Sequence, residues 1–418
     1  MRRVSTDLMN DDMQYWLRRQ ERGMASMENR MARQAKVESP RDDPLAAARA
    51  VRYDSVVQRL QRFEKNAAYA DDQYRVSEGY ARQALEVSQR LREIAVQGAN
   101  GIYGKQDQKY MAAEVDQLLA ELVELGNARG ADGTYLFSGD KSRTAPFRAV
   151  LGGAPGAAGE VLTSVQYLGA SGGPAAEVTE RSYVELSQPG SEVFWAERQQ
   201  AVSTFDARDW RAVADQGILV DGKEVQLKAG DNVYAVAAKI NSSGAAVKAT
   251  IDPRSFSLAL ETTSAHQLRL EGVPGGGAAG GALVELGLLA PTGSPPDNWA
   301  PSARVSGGSL FDVAIRLRDS LNRGDILETG GAALAGIDAG IDSLNRRVAE
   351  LGARSERLQA VKARLNVEIP DTTKLLSNEA DLDMTQAITD YRMLEYARNA
   401  SLGMAGRLLP KTLLDFLR

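Results

Sequence analysis

The residues able to do acid–base or metal chemistry are few. The chain has one histidine, His266 in the stretch ETTSAHQLRL, and no cysteine. A zinc site of the HExxH type needs two histidines and a thiol nucleophile needs a cysteine, so both are excluded. A serine–histidine triad would have to run through His266, and a lone histidine on a strand is read as structural. Three acidic pairs, Asp11-Asp12, Asp42-Asp43 and Asp71-Asp72, suggest a cation site at first sight. Adjacent residues on a helix do not face one another, so such pairs chelate poorly. Gly275, Gly277 and Gly280 spell G-x-G-x-x-G. A dinucleotide fingerprint needs a strand before it, a helix after it and a partner acid about twenty residues on. This run sits in a patch of glycine and alanine and is read as a flexible loop. No catalytic, metal or cofactor site is expected, and the chain is not read as an enzyme.

The pattern that does stand out is heptad spacing. Over residues 4–36, Met13, Leu17, Gln20, Met24, Met27, Met31 and Gln34 recur at alternating steps of four and three. That is a narrow seam for one partner helix, and its methionines tolerate imperfect fit. Ser39-Pro40 is expected to end this helix, because the residue before proline avoids the helical region. Asp42 belongs to the turn. Asp43 then serves as N-cap and Pro44 as first helical residue of a new helix. The new helix is expected to run to about Val96. Val56, Leu60, Phe63, Ala67, Ala70, Tyr74, Ser77, Ala81, Ala84, Ser88, Leu91 and Ala95 keep the heptad step. Gly98, Gly101 and Gly104 interrupt it, and a third helix is expected over about 107–129.

The texture changes after Gly130. Residues 134–305 are rich in glycine, serine, threonine and valine in short alternating runs. ILVDGKEVQL at 218–227 predicts a hairpin turning at Asp221-Gly222. Asp231 is placed as the cap of a short helix carrying Val233, Val236, Ala237 and Ile240. Pro291 to Pro301 reads as a linker. Helix returns near Leu310. Leu344, Val348, Leu351, Ser355, Leu358, Leu365 and Ile369 keep heptad register in a long helix that Pro370 should kink or end. A last helix, from about Leu382 to Leu409, carries Ile388, Tyr391, Leu394, Ala397, Met404 and Leu408.

The fold class is therefore α+β, an elongated coiled-coil-like helical core built from both chain ends, with a strand-dominated domain inserted. Its expected parts are an assembly helix at 1–40, half of a helical rod at 41–133, the insert at 134–305, the second half of the rod at 306–380 and an assembly helix at 381–418. Bulk properties agree. Apolar residues make 43% of the chain and aromatics only 6%, which suits long seams better than one thick core. Net charge is −5, and alternating signs argue against a polyanion partner. The opening MRRVSTDLMNDDMQYW has no apolar run and no small-residue cleavage site, so no Sec signal is read. Two seams at opposite ends of one chain can pair, yet narrow methionine- and alanine-rich helices are marginal alone. Self-assembly through Met13, Leu17, Met24, Met27 and Met31, and through Ile388, Tyr391, Leu394, Ala397, Met404 and Leu408, is the expectation.

Several stretches carry a family resemblance. RVST at the start, SPRDDPLAAARA at 39–50, LREIAVQGANG at 91–101, GTYLFSG at 133–139 and SLFDVAIRLRDSLNRGD at 309–325 resemble the bacterial flagellar hook–filament junction proteins, the hook-associated protein 3 or FlgL family. So do ADLDMTQAITDYRML and LLDFL near the C-terminus, and GDNVYAVAAKINSSGAAVKATI at 230–251 resembles a motif of flagellins and hook-associated proteins. The resemblance implies a structural subunit that forms the layer between hook and filament and templates flagellin. It implies a homo-oligomeric ring, contact with the first junction protein FlgK and with flagellin, and an export chaperone, FlgN, on the C-terminal helix. It also implies export through the flagellar type III apparatus, to the cell exterior or to the periplasm where flagella are internal. Flagellin itself is the near alternative, against which GTYLFSG and 309–325 argue. A coiled-coil adhesin or phage fibre is the alternative of another class.

Overall fold

The computed structural model describes residues 6–37, 39–153, 159–272, 281–292 and 298–408, with side chains from 12 to 404 at the two ends. The opening RVST up to residue 5, the glycine run at 273–280 and LLDFL lie outside the described residues. In chain order the elements are α1 (Thr6–Arg33), α2 (Pro44–Gly98), α3 (Lys105–Gly126), β1 (Phe147–Gly153), β2 (Glu160–Tyr167), β3 (Ala175–Thr179), β4 (Ser182–Glu185), α4 (Gly190–Val193) and β5 (Gln200–Val202). There follow β6 (Gln216–Val220), β7 (Lys223–Leu227), α5 (Val233–Ser242), β8 (Val247–Ile251), β9 (Leu258–Thr262), β10 (Leu270–Gly272), α6 (Gly281–Glu285) and β11 (Arg304–Ser306). The chain closes with α7 (Leu310–Arg323), α8 (Ile326–Glu328), a π-helical turn (Thr329–Ala333), α9 (Leu334–Ala380) and α10 (Met384–Leu408). Two compact units result, residues 66–361 and residues 1–65 with 362–418. Both α2 and α9 contribute to each.

The larger unit has two hydrophobic cores. In the first, the heptad positions of α2 from Ala67 through Tyr74, Ala81, Ala84 and Leu91 to Ala95 are all buried, as are Ser77 and Ser88. Alanine and serine at these positions shorten the distance at which a partner helix can lie. That partner is α9, which contributes Leu344, Leu351 and Leu358. It runs antiparallel to α2, since Ser355 Oγ donates to Asp71 at 2.6 Å while Arg92 pairs with Asp338 at 2.6 Å. The hairpins β1–β2 and β3–β4, assigned from sequence to the insert, place Phe147, Tyr167 and Val178 in this helical core.

GTYLFSG finds its reason here. Phe137 is fully buried and meets Phe194 edge-on at 5.2 Å, and Phe147 and Phe311 complete the cluster. Gly139 has a φ of +62°, and a Cβ there would come 2.5 Å from the carbonyl oxygen of Gly172, so only glycine fits. The 309–325 stretch is equally determined. Ser309 and Asp312 form a reciprocal capping box at the start of α7, and Gly324 ends it in the left-handed conformation. Within α7, Arg318 is fully buried and holds Asp116 of α3 at 3.0 Å, Asp319 at 2.7 Å and the carbonyl of Leu162 in β2 at 2.6 Å.

The second core lies between two sheets, of order β10-β6-β7 and β11-β5-β9-β8, with α5 packed among them. Asp221 and Gly222, at φ +48° and +75°, form the expected β6–β7 turn. Two sequence expectations need correction. Asn232, not Asp231, caps α5, because its side chain accepts the Ala235 N–H at 2.9 Å. Asp231 instead accepts the Lys228 N–H and pairs with Lys239. The supposed linker is packed in its described part: Asn298 and Ala300 are buried and bond back to Ala290 and Leu288.

Candidate assembly surface

The smaller unit is built around two chain breaks. The first is not where proline predicts it. α1 ends at Arg33, well before Pro40, because Gln34 turns into the left-handed region at φ +54°. Ala35 N–H then bonds the Arg30 carbonyl at 3.1 Å and Gln34 N–H bonds Met31 at 3.2 Å, the paired closure of a Schellman motif. Glycine normally marks such a stop, and glutamine gives no warning of it. Proline therefore acts later, in the turn. The carboxylate of Asp42 accepts the Ser39 N–H at 3.0 Å. That of Asp43 accepts the N–H groups of Leu45 and Ala46 at 3.1 and 2.9 Å, and Pro44 is the first residue of α2. The acidic pair between Pro40 and Pro44 is thus spent on turn and cap.

The second break separates α9 from α10. Pro370 does not end α9, which continues to Ala380. Pro370 lies on an exposed face, where water can satisfy the carbonyl freed by its missing N–H. Asp383 caps α10 through the N–H groups of Thr385 and Gln386. The two breaks face each other. Ala35 and Asp381 form an isolated antiparallel bridge, with Lys36 N–H on the Ala380 carbonyl at 2.8 Å and Leu382 N–H on that of Gln34 at 3.0 Å.

Beyond the bridge α1 and α10 run antiparallel. Tyr391 Oη donates to Glu28 at 2.6 Å, Arg398 pairs with Glu21 at 3.6 Å, and Gln20 Nε2 donates to Ser401 at 3.2 Å. The bond to Glu28 holds the Tyr391 phenol above its ordinary pKa. On α1 the expected seam is the packed one. Met24 is buried, and Met13, Leu17, Met27 and Met31 are half-buried.

On α10 the expected register is partly displaced. Tyr391 and Leu394 face α1, but Ile388 is 44% exposed, Met404 65%, and Ala397 is exposed as well. The side chain of Leu408 lies outside the described ones. The inward stripe is Ala387, Tyr391, Leu394, Arg398 and Ser401, again in steps of four and three. Sequence reasoning missed Ala387, Arg398 and Ser401, since a ranking by size favours isoleucine and methionine over alanine and serine. The larger apolar residues lie elsewhere, with Met393 67% and Tyr396 72% exposed. α10 is apolar on more sides than α1 covers.

The catalytic candidates resolve into scaffolding. His266 Nε2 lies 2.9 Å from Asp221 Oδ2, and Nδ1 lies 3.1 Å from both the hydroxyl and the carbonyl oxygen of Ser264. Asp221 also accepts the Arg269 N–H at 2.9 Å. The serine contact spans only two residues and shares its nitrogen with a carbonyl, so the imidazole fastens the hairpin turn to the 264–269 segment. A Gly-x-Ser-x-Gly spelling at 169–173 connects β2 to β3 and lacks the strand-to-helix elbow of a nucleophile. Asp71 accepts from Ser355 in the α2–α9 seam. Among the described residues no group of three or more acidic, histidine or cysteine side chains is placed to hold a metal ion, and no helix is long and apolar enough to cross a membrane.

Comparison with known proteins agrees with the resemblance. Residues 4–142, covering α1 to α3 and GTYLFSG, match the bacterial flagellin N-terminal helical region, and residues 213–264, covering β6 to β9, match the flagellin hook IN motif. Flagellin FlaB1 of Treponema pallidum is 33% identical over 25% of this chain and 36% of its own length. The flagellar hook-associated protein 3 of Salmonella typhimurium is 24% identical over 39% of this chain and 51% of its own. The chain thus spans about half the length, or less, of these curated relatives. Among solved structures, a flagellar hook-associated protein 3 from Legionella pneumophila aligns over 78% of this chain and 97% of its own, at 19% identity and a TM-score of 0.46. Residues 4–142 are thus similar to the bacterial flagellin N-terminal helical region, and residues 213–264 to the flagellin hook IN motif.

Proposed function

We propose that the protein is a structural, non-catalytic subunit of the bacterial flagellum, forming the junction layer between hook and filament and templating flagellin polymerisation. The observation that carries the reading is the incomplete covering of α10. A helix apolar on several sides is normally buried on all of them. Here α1 covers one side, and Met393, Tyr396 and Met404 stay largely exposed. Each large side chain fully buried by a neighbour contributes roughly 1.5–3 kcal/mol, which offsets part of the ordering cost of assembly. The partners proposed are further copies in a ring, FlgK on the hook side, flagellin on the other, and FlgN on α10 before export. The proposed location is the flagellum, reached through the type III apparatus, outside the cell or in the periplasm.

The junction reading is preferred to flagellin because GTYLFSG and residues 309–325 resemble the junction family and serve as core-forming segments here. Deletion of the gene tests it. Cells should keep hooks, lack filaments and release flagellin into the medium. Filaments of normal length in the deletion strain would refute the junction role.

A further inference from the structure

The chain contains a single Asn-Gly pair, Asn100-Gly101, at the end of LREIAVQGANG. It lies in the turn that joins α2 to α3. The start of that turn is anchored. A Cβ at Gly98 would come 2.4 Å from Leu321, and one at Gly330 would meet Ala99 at 2.9 Å. The tip is open. Asn100 and Gly101 are exposed, Ile102 is 84% exposed, and a Cβ on Gly101 would touch nothing within 4 Å. Asn100 is held through its backbone alone, its N–H on the Gln97 carbonyl at 3.0 Å and its carbonyl accepting the Tyr103 N–H at 3.4 Å. Among the described residues neither its side-chain amide nor the Gly101 N–H makes a hydrogen bond. Comparable side chains ahead of small residues are pinned. Asn127 exchanges two bonds with the backbone of Phe147, and Asn241 two with that of Ala249. The carboxylate of Asp221 is taken up by His266 and the Arg269 N–H, and that of Asp132 by Thr134.

We propose that Asn100 is a self-modification site, converted without an enzyme to aspartate and isoaspartate in the folded protein. Hydroxide takes the proton of the Gly101 amide, and the freed nitrogen attacks Cγ of Asn100. A cyclic imide closes as that C–N bond forms and the Cγ–Nδ2 bond breaks. The side-chain nitrogen takes a proton from water and leaves as ammonia. Water then adds to either imide carbonyl, giving aspartate at one and isoaspartate at the other. One water is consumed, one ammonia is released, and nothing is oxidised or reduced. Glycine in second place makes the attack possible, because it has no Cβ to obstruct the approach. Both products put a carboxylate just past the C-terminal end of α2, where unpaired carbonyls already make the potential negative. Isoaspartate also adds a methylene to the backbone of the turn. Each converted chain is thereby marked by one more negative charge at a fixed place beside the packed Gly98.

The test incubates the full chain, folded and in urea, at mildly alkaline pH and samples it over days by peptide mapping with mass spectrometry. In the folded protein the peptide holding Asn100 should gain one mass unit and split into two chromatographically separate products. The peptides holding Asn127 and Asn241 should stay unchanged there. Gly101→Ala fits the open space and needs no positive φ, so the variant should keep its native circular dichroism and lose most of the conversion. If the Asn100 peptide stays intact in the folded chain while it converts in urea, the turn holds the pair in an unreactive shape and the proposal is overturned. An Asn100 peptide that survives in both states overturns it as well, and conversion of Gly101→Ala at the wild-type rate rules out the imide route.

Discussion

Arg318 carries a full charge with no exposed surface, and its partners explain how. Asp319 takes the Nε and Nη2 edge of the guanidinium while Asp116 and the Leu162 carbonyl take Nη1, tying α3, α7 and β2 at one point. Removing one partner of a buried pair leaves the other charge uncompensated, so Arg318→Ala should lose about 3–5 kcal/mol in urea denaturation. Arg318→Lys should recover little of that, because an ammonium cannot reproduce the fork. At the turn, Asp43→Ala should cost about 1 kcal/mol and Asp43→Asn much less, measured the same way.

Tyr167 supplies a pH dependence. Its hydroxyl donates to the Phe137 and Ala170 carbonyls, and burial raises its pKa far above that of an exposed phenol. The folded state therefore holds the proton more tightly than the unfolded state. The contribution is complete below the unfolded pKa, near 10, and is lost as pH rises beyond it. Stability measured from about pH 8 to 11 should fall for wild type and fall less steeply for Tyr167→Phe, whatever the offset between them at neutral pH.

Among the elements, legibility followed the strength of the periodic signal. α2 and α9 kept their heptads through many turns, and most of those positions are buried, with Val56, Val348 and Ile369 half-buried. The SPRDDP turn was legible because each residue has a specific backbone task. The end of α1 was not, since a left-handed glutamine looks like any other helical residue. The inward face of α10 was half legible: its apolar residues occupy several sides, so spacing alone offers more than one seam. The β1–β4 hairpins fall within the insert read as strand-dominated, but nothing in the sequence marks Phe147 and Tyr167 as suppliers to a helical core, because a strand's sequence does not state which core it joins. Pro370 shows a rule overridden by context. Replacing it restores a backbone donor and removes a clash worth up to about 3 kcal/mol in a helix interior. Pro370→Ala should therefore slow amide exchange across residues 366–378, and unchanged exchange would mean that the helix has fully absorbed the proline.

At the scale of the whole molecule, the smaller unit holds its ends together with a thin seam while the larger one holds two filled cores. Limited proteolysis of the monomer should cut within roughly 1–40 and 380–418 first and leave a resistant middle. Because α1 and α10 share one seam, the two ends should become labile together. Truncating the chain before Met384 should raise amide exchange over residues 12–31 as much as cleavage within them does. Protection of both ends equal to that of the centre would contradict the picture of a seam completed only on assembly.

The several-sided apolar character of α10 has a rotational consequence. A roll of one residue about its own axis would exchange Tyr391, Leu394 and Arg398 for Asp390, Met393 and Ala397, trading one mixed polar and apolar stripe for another against the methionines of α1. What stops the roll is polar: Tyr391 on Glu28, Arg398 near Glu21, and Gln20 on Ser401. These three contacts act like the detents of a dial. They add little to the energy that holds the helices together, but they choose which of several near-equal settings the pair adopts, and so which stripe is offered to the outside.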